Sequence, residues 1–334
     1  MMFNPSVSLL MRIVPCVFII VFLYLMLDHW GPQVPSYSLR QASTGNEHAY
    51  MGFLAAPYDL NDTASDDEDH YYTQTRMLLY QLRHDPATRS PNNYPFVVLV
   101  TDDVSPSKRE RLQREGAIVK RIEKLKPLQH VTRKAWQDQI TKLRLFEQIE
   151  YKKILYLDSD HFLTRPMDGI FEDEAAQVQQ NKNLPAADAT KSDEAPQPAT
   201  YGFASNAGSG GYDHSIPPRK GNNVNGGFIL LEPSLELFNY YLSLTTPETE
   251  GRYNGRYNEQ GVWQYAHRRN GNMPWMQVHW KWNINWATYK DYTDGDFASL
   301  HTKYWGLDHD PQLRDLLMRI KWKMEGFWEA HDAL

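Results

Sequence analysis

The stretch Tyr151-Lys152-Lys153-Ile154-Leu155-Tyr156-Leu157-Asp158-Ser159-Asp160 restricts the fold more than any other part of the chain. Ile154 to Leu157 is apolar at every position, without the polar alternation of a strand that faces water on one side. Such a run fits a strand buried on both faces of an α/β sheet. It ends in two carboxylates separated by one residue. Side chains alternate along an extended chain, so Asp158 and Asp160 are expected on one side if the strand continues through them. Carboxylates so placed repel unless a cation or donors neutralise them, and the carboxyl edge of an open α/β sheet is where ligands bind. Oxygen ligands suit Mg²⁺ or Mn²⁺. The competing reading is a plain polar turn after a core strand, and the spacing alone does not separate the two.

The chain has 334 residues and ordinary hydrophobic content, enough for one large core or two smaller ones. A formal net charge of -6 gives no hint of a nucleic-acid partner. Cys16, the single cysteine, leaves no intrachain disulfide to hold the fold. Tyr and Trp gather in the last third, which suits a sugar or nucleotide site and equally an aromatic core.

Ile13 to Leu27 is uninterrupted apolar sequence, with Arg12 before it and Asp28 after it. A membrane span needs roughly 20 residues, so this run is short. The residues after it lack the small-x-small pattern of a signal-peptide cleavage site. The expectation is therefore a type II signal anchor: a cytoplasmic tail over 1–12, a span over 13–27, a stem over 28–47 and a lumenal domain over 48–334. Asn61-Asp62-Thr63 is an N-glycosylation sequon if that part faces the lumen.

Within the domain, Tyr50 to Ala55 and Phe96 to Val100 read as strands, and Tyr71 to His84 as a helix behind the acidic run Asp66-Asp67-Glu68-Asp69. Ser105-Pro106 opens a second helix that Gly116 closes, and Ala117 to Val119 is a short strand. Trp136, Ile140, Leu143, Phe146 and Ile149 predict an amphipathic α-helix over 135–149, with Lys142 beside its apolar stripe. Strands alternating with helices imply a mostly parallel sheet. The segments 172–198 and 201–218 read as long surface loops near the site. Asn225-Gly226-Gly227 precedes the buried strand Phe228 to Leu231, where paired glycines suggest close approach to the backbone. Asn258-Glu259-Gln260-Gly261 opens a further helix, and Leu300-His301-Thr302-Lys303-Tyr304-Trp305-Gly306 follows an aromatic segment.

Taken together, these residues resemble glycosyltransferase family 8, the retaining glycosyltransferases that include glycogenin, and most of all its fungal membrane-anchored members. The landmarks are Thr141-Lys142-Leu143, the Asp158-Ser159-Asp160 strand end, Asn225-Gly226-Gly227-Phe228 with Glu232-Pro233-Ser234, Glu259-Gln260-Gly261, and His301 with Lys303 and Gly306. The resemblance covers roughly residues 48 to 306. It implies a GT-A fold, a Rossmann-like sheet that binds a nucleotide-sugar. It implies Asp158, Asp160 and His301 as ligands of Mn²⁺, with Mg²⁺ as the alternative ion. It gives Glu259 and Gln260 a catalytic place on the face of the sugar opposite the leaving group. Lys142, Asn225, Gly226, Gly227, Lys303 and Gly306 would contact the donor, and Tyr50, Asp102 and Asp158 would lie where the nucleotide is read. The implied partners are a UDP-sugar donor and a glycan or glycoprotein acceptor, in the Golgi or another secretory membrane, with hexosyl and N-acetylhexosaminyl transfer both open.

Two departures from the family pattern stand out. Glu259 replaces a common Asp, and Lys303 precedes Gly306 where the family has the reverse order. Two other classes compete with this reading. A phosphohydrolase of the haloacid-dehalogenase kind also places Asp-x-Asp after an apolar strand, but here His161-Phe162 follows, and the first strand lacks the motif. A non-catalytic sugar-binding protein on the same fold would keep the landmarks without turnover.

Overall fold

The computed structural model describes residues 47–57, 69–131, 133–185, 190–219 and 221–333. The expected tail, anchor and nearly all of the stem, Cys16 and the Asn61 sequon lie outside these residues. Among the described residues no helix is long and apolar enough to cross a membrane.

The architecture is mixed α/β. β1 (His48–Leu54), β2 (Phe96–Thr101), β3 (Ile118–Ile122) and β4 (Lys153–Leu157) are parallel neighbours in the order β3-β2-β1-β4. Beyond β4 the sheet continues antiparallel through β8 (Val224–Glu232) and β7 (Thr200–Ala207), with β6 (Gln179–Gln180) and β9 (Met276–Gln277) on β7. β5 (His161–Leu163), β10 (Ile284–Asn285) and β11 (Ser299–His301) form a second, small sheet in the order β10-β11-β5.

Burial on both faces explains the continuous apolar runs. Ala49, Met51, Phe53, Ile154, Tyr156, Ile229 and Leu231 face one apolar cluster, which also holds Ile140, Leu143, Phe146 and α3 (Leu235–Ser243). Tyr50, Leu54, Leu155, Leu157, Phe228 and Leu230 face another, covered by α1 (His70–Arg83). A third cluster joins the small sheet to the C-terminal helix, Pro311–Asp332.

Helix ends follow their local chemistry. Asp69 caps α1 by accepting from Tyr72 N–H at 3.0 Å, so the last acid of the acidic run serves as a cap, and it is buried against Lys108. Ser105 caps α2 (Pro106–Arg114), with Pro106 in its first turn, and Gly116 follows at φ +101°.

Three expectations need correction. Residues Lys134–Glu147 form consecutive 3₁₀ turns where an α-helix was predicted. Ile140, Leu143 and Phe146 recur every third residue and are fully buried, which matches the three-residue repeat of a 3₁₀ turn. Ile149, beyond the last turn, is exposed. Second, 201–207 is not loop but β7. Tyr201 and Phe203 enter the core on one face, while Gly202 lies against Glu232 so tightly that a Cβ would come within 2.6 Å of it. Third, β4 stops at Leu157, and Asp158-Ser159-Asp160 turns, with His161 N–H returning to the Asp158 carbonyl at 3.3 Å.

Candidate functional site

The antiparallel pairing of β4 with β8 puts the start of β8 beside the carboxyl end of β4, where Asp158 N–H donates to the Gly227 carbonyl at 2.8 Å. The pairing of β11 with β5 sets His301 opposite His161. Lys142 comes up from the 3₁₀ segment, and Glu259 and Gln260 open α4 (Glu259–Ala266). Five distant stretches thereby meet.

On one side, Asp160 Oδ1 lies 3.1 Å from His301 Nε2, and the His301 and His161 rings stack at 4.0 Å. Ligand atoms of Asp160, His161 and His301 all fall within 4.8 Å of one another. The Nε2 of His161 is buried and has no hydrogen-bond partner among the described residues, while its Nδ1 sits 2.9 Å from the Asp158 carbonyl. Burial first, and His301 next, hold the His161 imidazole neutral, with a pKa near 3. Burial alone would raise Asp160, but His301 and Lys303 hold its carboxyl well below the usual range. A neutral imidazole, a carboxylate and a second histidine make a donor set that fits a divalent ion with nitrogen affinity.

On the other side, buried Lys142 lies 2.7 Å from Asp158 Oδ1 and 3.1 Å from Glu259 Oε1. Tyr156 also donates its hydroxyl to Asp158. Burial opposes the Lys142 charge, yet Asp158 and Glu259 outweigh it and raise the pKa. Burial likewise disfavours the Asp158 charge, and Lys142 more than offsets this. Glu259 is the exception. Burial, with Asp158 added, defeats the pull of Lys142 and lifts its pKa to about 7.

Glycine shapes the gap between these halves. A Cβ on Gly227 would stand 2.5 Å from His301 Cε1 and 2.7 Å from Asp158 Oδ2. One on Gly226 would stand 3.1 Å from Gln260 Cβ and 3.4 Å from Glu259 Oε1. Gly226 N–H donates to Gln260 Oε1 at 2.9 Å. Asn225 accepts from Gly227 N–H at 3.0 Å through Oδ1, and its Nδ2 reaches Asn206 Oδ1 at 3.3 Å and His301 Nδ1 at 3.4 Å. Lys303 Nζ is 3.8 Å from Asp160 Oδ2 and 2.8 Å from the Tyr71 hydroxyl.

The structure therefore brings together Lys142, Asp158, Asp160, Asn225, Gly226, Gly227, Glu259, Gln260, His301 and Lys303. The tight ligand cluster, however, contains His161 in place of Asp158, whose carboxylate is turned to Lys142 and Tyr156. Tyr50 is a correction. It lies in the middle of β1, fully buried, and gives its hydroxyl to Asp168 Oδ1 at 2.6 Å, so it is a core residue. Asp102 is exposed and paired with Arg121 at 2.6 Å. Its neighbour Asp103 makes the ties at that strand end, to Thr101, to Lys124 at 2.5 Å and to the backbone of Ala56. Gly306 is exposed, and a Cβ there would meet nothing within 4 Å, so packing does not demand a glycine. Asn206, Tyr156 and His161 escaped the sequence reading. Only His161, adjacent to Asp160, carried a local signal.

No family model matches the chain. It is 27% identical over 297 residues to an uncharacterized protein of Schizosaccharomyces pombe, covering 78% of this chain and 73% of that one. It is 32% identical over 142 residues to galactinol synthase 2 of Arabidopsis thaliana, covering 42% of this chain and 37% of the synthase. Among solved structures, an active-site mutant of LgtC overlays 82% of this chain and 95% of its own, at 12% identity and a TM-score of 0.49. The sequence likenesses support a glycosyltransferase of the family 8 kind.

Proposed function

We propose that the chain is a metal-dependent, retaining glycosyltransferase that moves a hexosyl or N-acetylhexosaminyl group from a UDP-sugar to a glycan or glycoprotein acceptor. The observation that carries this reading is the meeting of Asp160, His161 and His301 with the Gly226-Gly227 gap and the Lys142–Glu259–Gln260 group. The orphaned Nε2 of His161 and the nitrogen-rich donor set favour Mn²⁺ over Mg²⁺ as the ion. Asp160, His161 and His301 would hold it, with Asp158 facing the same space. A bound ion would neutralise the donor diphosphate and make the nucleoside diphosphate a better leaving group.

The chain's own residues account for the rest. Lys303, beside Asp160 and kept charged by it, is placed to meet a phosphate. The absent Cβ of Gly226 lets a sugar approach Glu259 and Gln260. Gln260 spends its Oε1 on Gly226 N–H, which directs its NH₂ group to donate to a sugar hydroxyl. Lys142 bridges Asp158 and Glu259 and offsets one of their two negative charges, which lowers the repulsion between these carboxylates and the donor diphosphate. The location we propose is a secretory-pathway membrane, with the Ile13 to Leu27 run as anchor and the catalytic domain in the lumen.

A screen of UDP-sugars with Mn²⁺, read as UDP release with and without soluble acceptors, tests the proposal. Turnover by the wild type that Asp160→Ala and His301→Ala reduce by at least ~10²-fold supports it. Turnover that survives both substitutions rules out this site.

A further inference from the structure

Beyond the ion and donor groups lies a pair of exposed rings. β10 runs parallel to β11 with Asn285 opposite His301, and neighbouring strands are about 4.8 Å apart. Trp286 is the next residue after Asn285. Its backbone has φ +57°, a left-handed conformation foreign to a bulky side chain. Residues held this way persist only where their surroundings fix them, and they gather at ligand-binding sites.

The fixing contacts are explicit. Ser209 N–H donates to Asn285 Oδ1 at 2.8 Å, and Ser209 Oγ donates to the Asn285 carbonyl at 2.6 Å. On the other side Ala287 is fully buried, and Thr288 caps α5 (Tyr289–Asp294) in a reciprocal box with Asp291. Asp291 also engages His214 Nε2 at 3.0 Å, which ties the glycine-rich loop to the same helix. The backbone is held on both sides, yet the Trp286 residue remains 49% exposed. Tyr212 from the loop, 39% exposed, meets the indole edge-on at 5.1 Å and 89°. His309 backs the Tyr212 ring at 4.2 Å. Burial raises the Tyr212 hydroxyl while the charge of Lys303 lowers it, and the pairing of Asn285 with His301 sets this corner beside the candidate site.

We propose that Trp286 and Tyr212 form an acceptor subsite that stacks the C–H face of a polyhydroxylated six-membered ring, a pyranoside or a cyclitol. Such a ring carries its hydroxyls at the rim and an apolar face between them. A flat indole covers that face, and a second ring at right angles fixes its orientation. The donor's diphosphate belongs with Asp160 and Lys303, which leaves the outer corner to the acceptor. This inference rests on the glycosyltransferase reading.

Saturation-transfer NMR on the full chain with UDP and Mn²⁺, using methyl β-D-galactopyranoside and myo-inositol as probes, tests it. Transfer to the ring C–H protons of one probe is expected, and the probe that responds distinguishes pyranoside from cyclitol. Trp286→Gly, which accepts the backbone, and Tyr212→Ala should each raise that probe's Kd by roughly 3- to 10-fold, the scale of one aromatic contact. Trp286→Phe should restore most of it. UDP affinity, measured in the same samples, reports whether each variant is folded. Probe binding unchanged in both variants, or no transfer to either probe on a wild type that binds UDP, overturns the subsite alone. A wild type that binds no UDP overturns the transferase reading, and the acceptor role falls with it.

Discussion

Replacing Gly227 by alanine adds one methyl group at the point where the two halves of the candidate site touch. That carbon would lie 2.5 Å from His301 Cε1, 2.7 Å from Asp158 Oδ2 and 3.1 Å from Asp158 Cγ. Carbon atoms in contact rest at about 3.5–4.0 Å, so something must move by about 1 Å. His301 is held by its stack on His161, by Asp160 and by its register in the small sheet. Asp158 is held by Lys142 and Tyr156. The neighbours are therefore not the loose ends of flexible side chains, and overpacking of this kind costs about 1–3 kcal/mol. A shift of ~1 Å in a group that positions a reactant costs on the order of 10²-fold. Thermal melts, calorimetry of UDP with Mn²⁺ and turnover provide the assay. Gly227→Ala should lower Tm, weaken Mn²⁺-dependent UDP binding and reduce turnover on the order of 10²-fold. Gly306→Ala, whose methyl meets nothing within 4 Å, should match the wild type in all three. Wild-type Tm and affinity in Gly227→Ala would refute the close packing of Gly227, His301 and Asp158.

Lys142→Ala leaves Asp158 and Glu259 without their shared countercharge and should cost about 3–5 kcal/mol in denaturant melts; a loss under ~1 kcal/mol would show that the pair is solvated. Glu259 binds its proton more tightly folded, near 7, than at its ordinary 4.5, so its contribution to stability is complete below about 4.5 and is lost as pH rises through 7. Buried His161 and His267, held near 3, act in the opposite direction between 6.5 and 3, so the informative quantity is a difference. The stability of Glu259→Gln relative to wild type should climb between pH 4.5 and 7, by at most ~1.4 kcal/mol per pH unit, and level off above that; a flat difference contradicts the raised pKa. Tyr50→Phe removes a donor from buried Asp168 and should cost about 1–3 kcal/mol, with UDP affinity unchanged. Asp102→Ala should change stability by less than ~0.5 kcal/mol, since its partner Arg121 is equally exposed.

What the sequence disclosed depended on the range of the interaction. The buried strands 96–101 and 153–157 announce themselves because a two-sided burial needs apolar residues at consecutive positions. Ser105-Pro106 and Gly116 mark the ends of α2 through purely local geometry. β7 hides because Gly202, Ser205 and Asn206 suit its crowded neighbours Glu232 and Asn225 and carry no strand signal of their own. The 3₁₀ segment shares its apolar stripe with an α-helix over its first turns, so a spacing of three and four residues leaves the type open. Asp160, His301, Gly226 and Gly227 were legible through motifs. The pairing of His161 with His301 was not, because it follows from a register between β5 and β11, over a hundred residues apart in the chain. Tyr50 was misplaced for the converse reason. The motif gives a neighbourhood, and only strand phase decides whether a side chain enters the core or the cleft.

The measurement closest to the central claim is calorimetric titration of UDP into the protein with Mn²⁺ and again with the ion chelated, for the wild type, Asp160→Ala and His301→Ala. Binding that requires Mn²⁺ and disappears in both variants is the predicted result. UDP binding that ignores the ion, or that persists undiminished without Asp160 and His301, would contradict the assignment of this cluster as a metal-assisted nucleotide-sugar site.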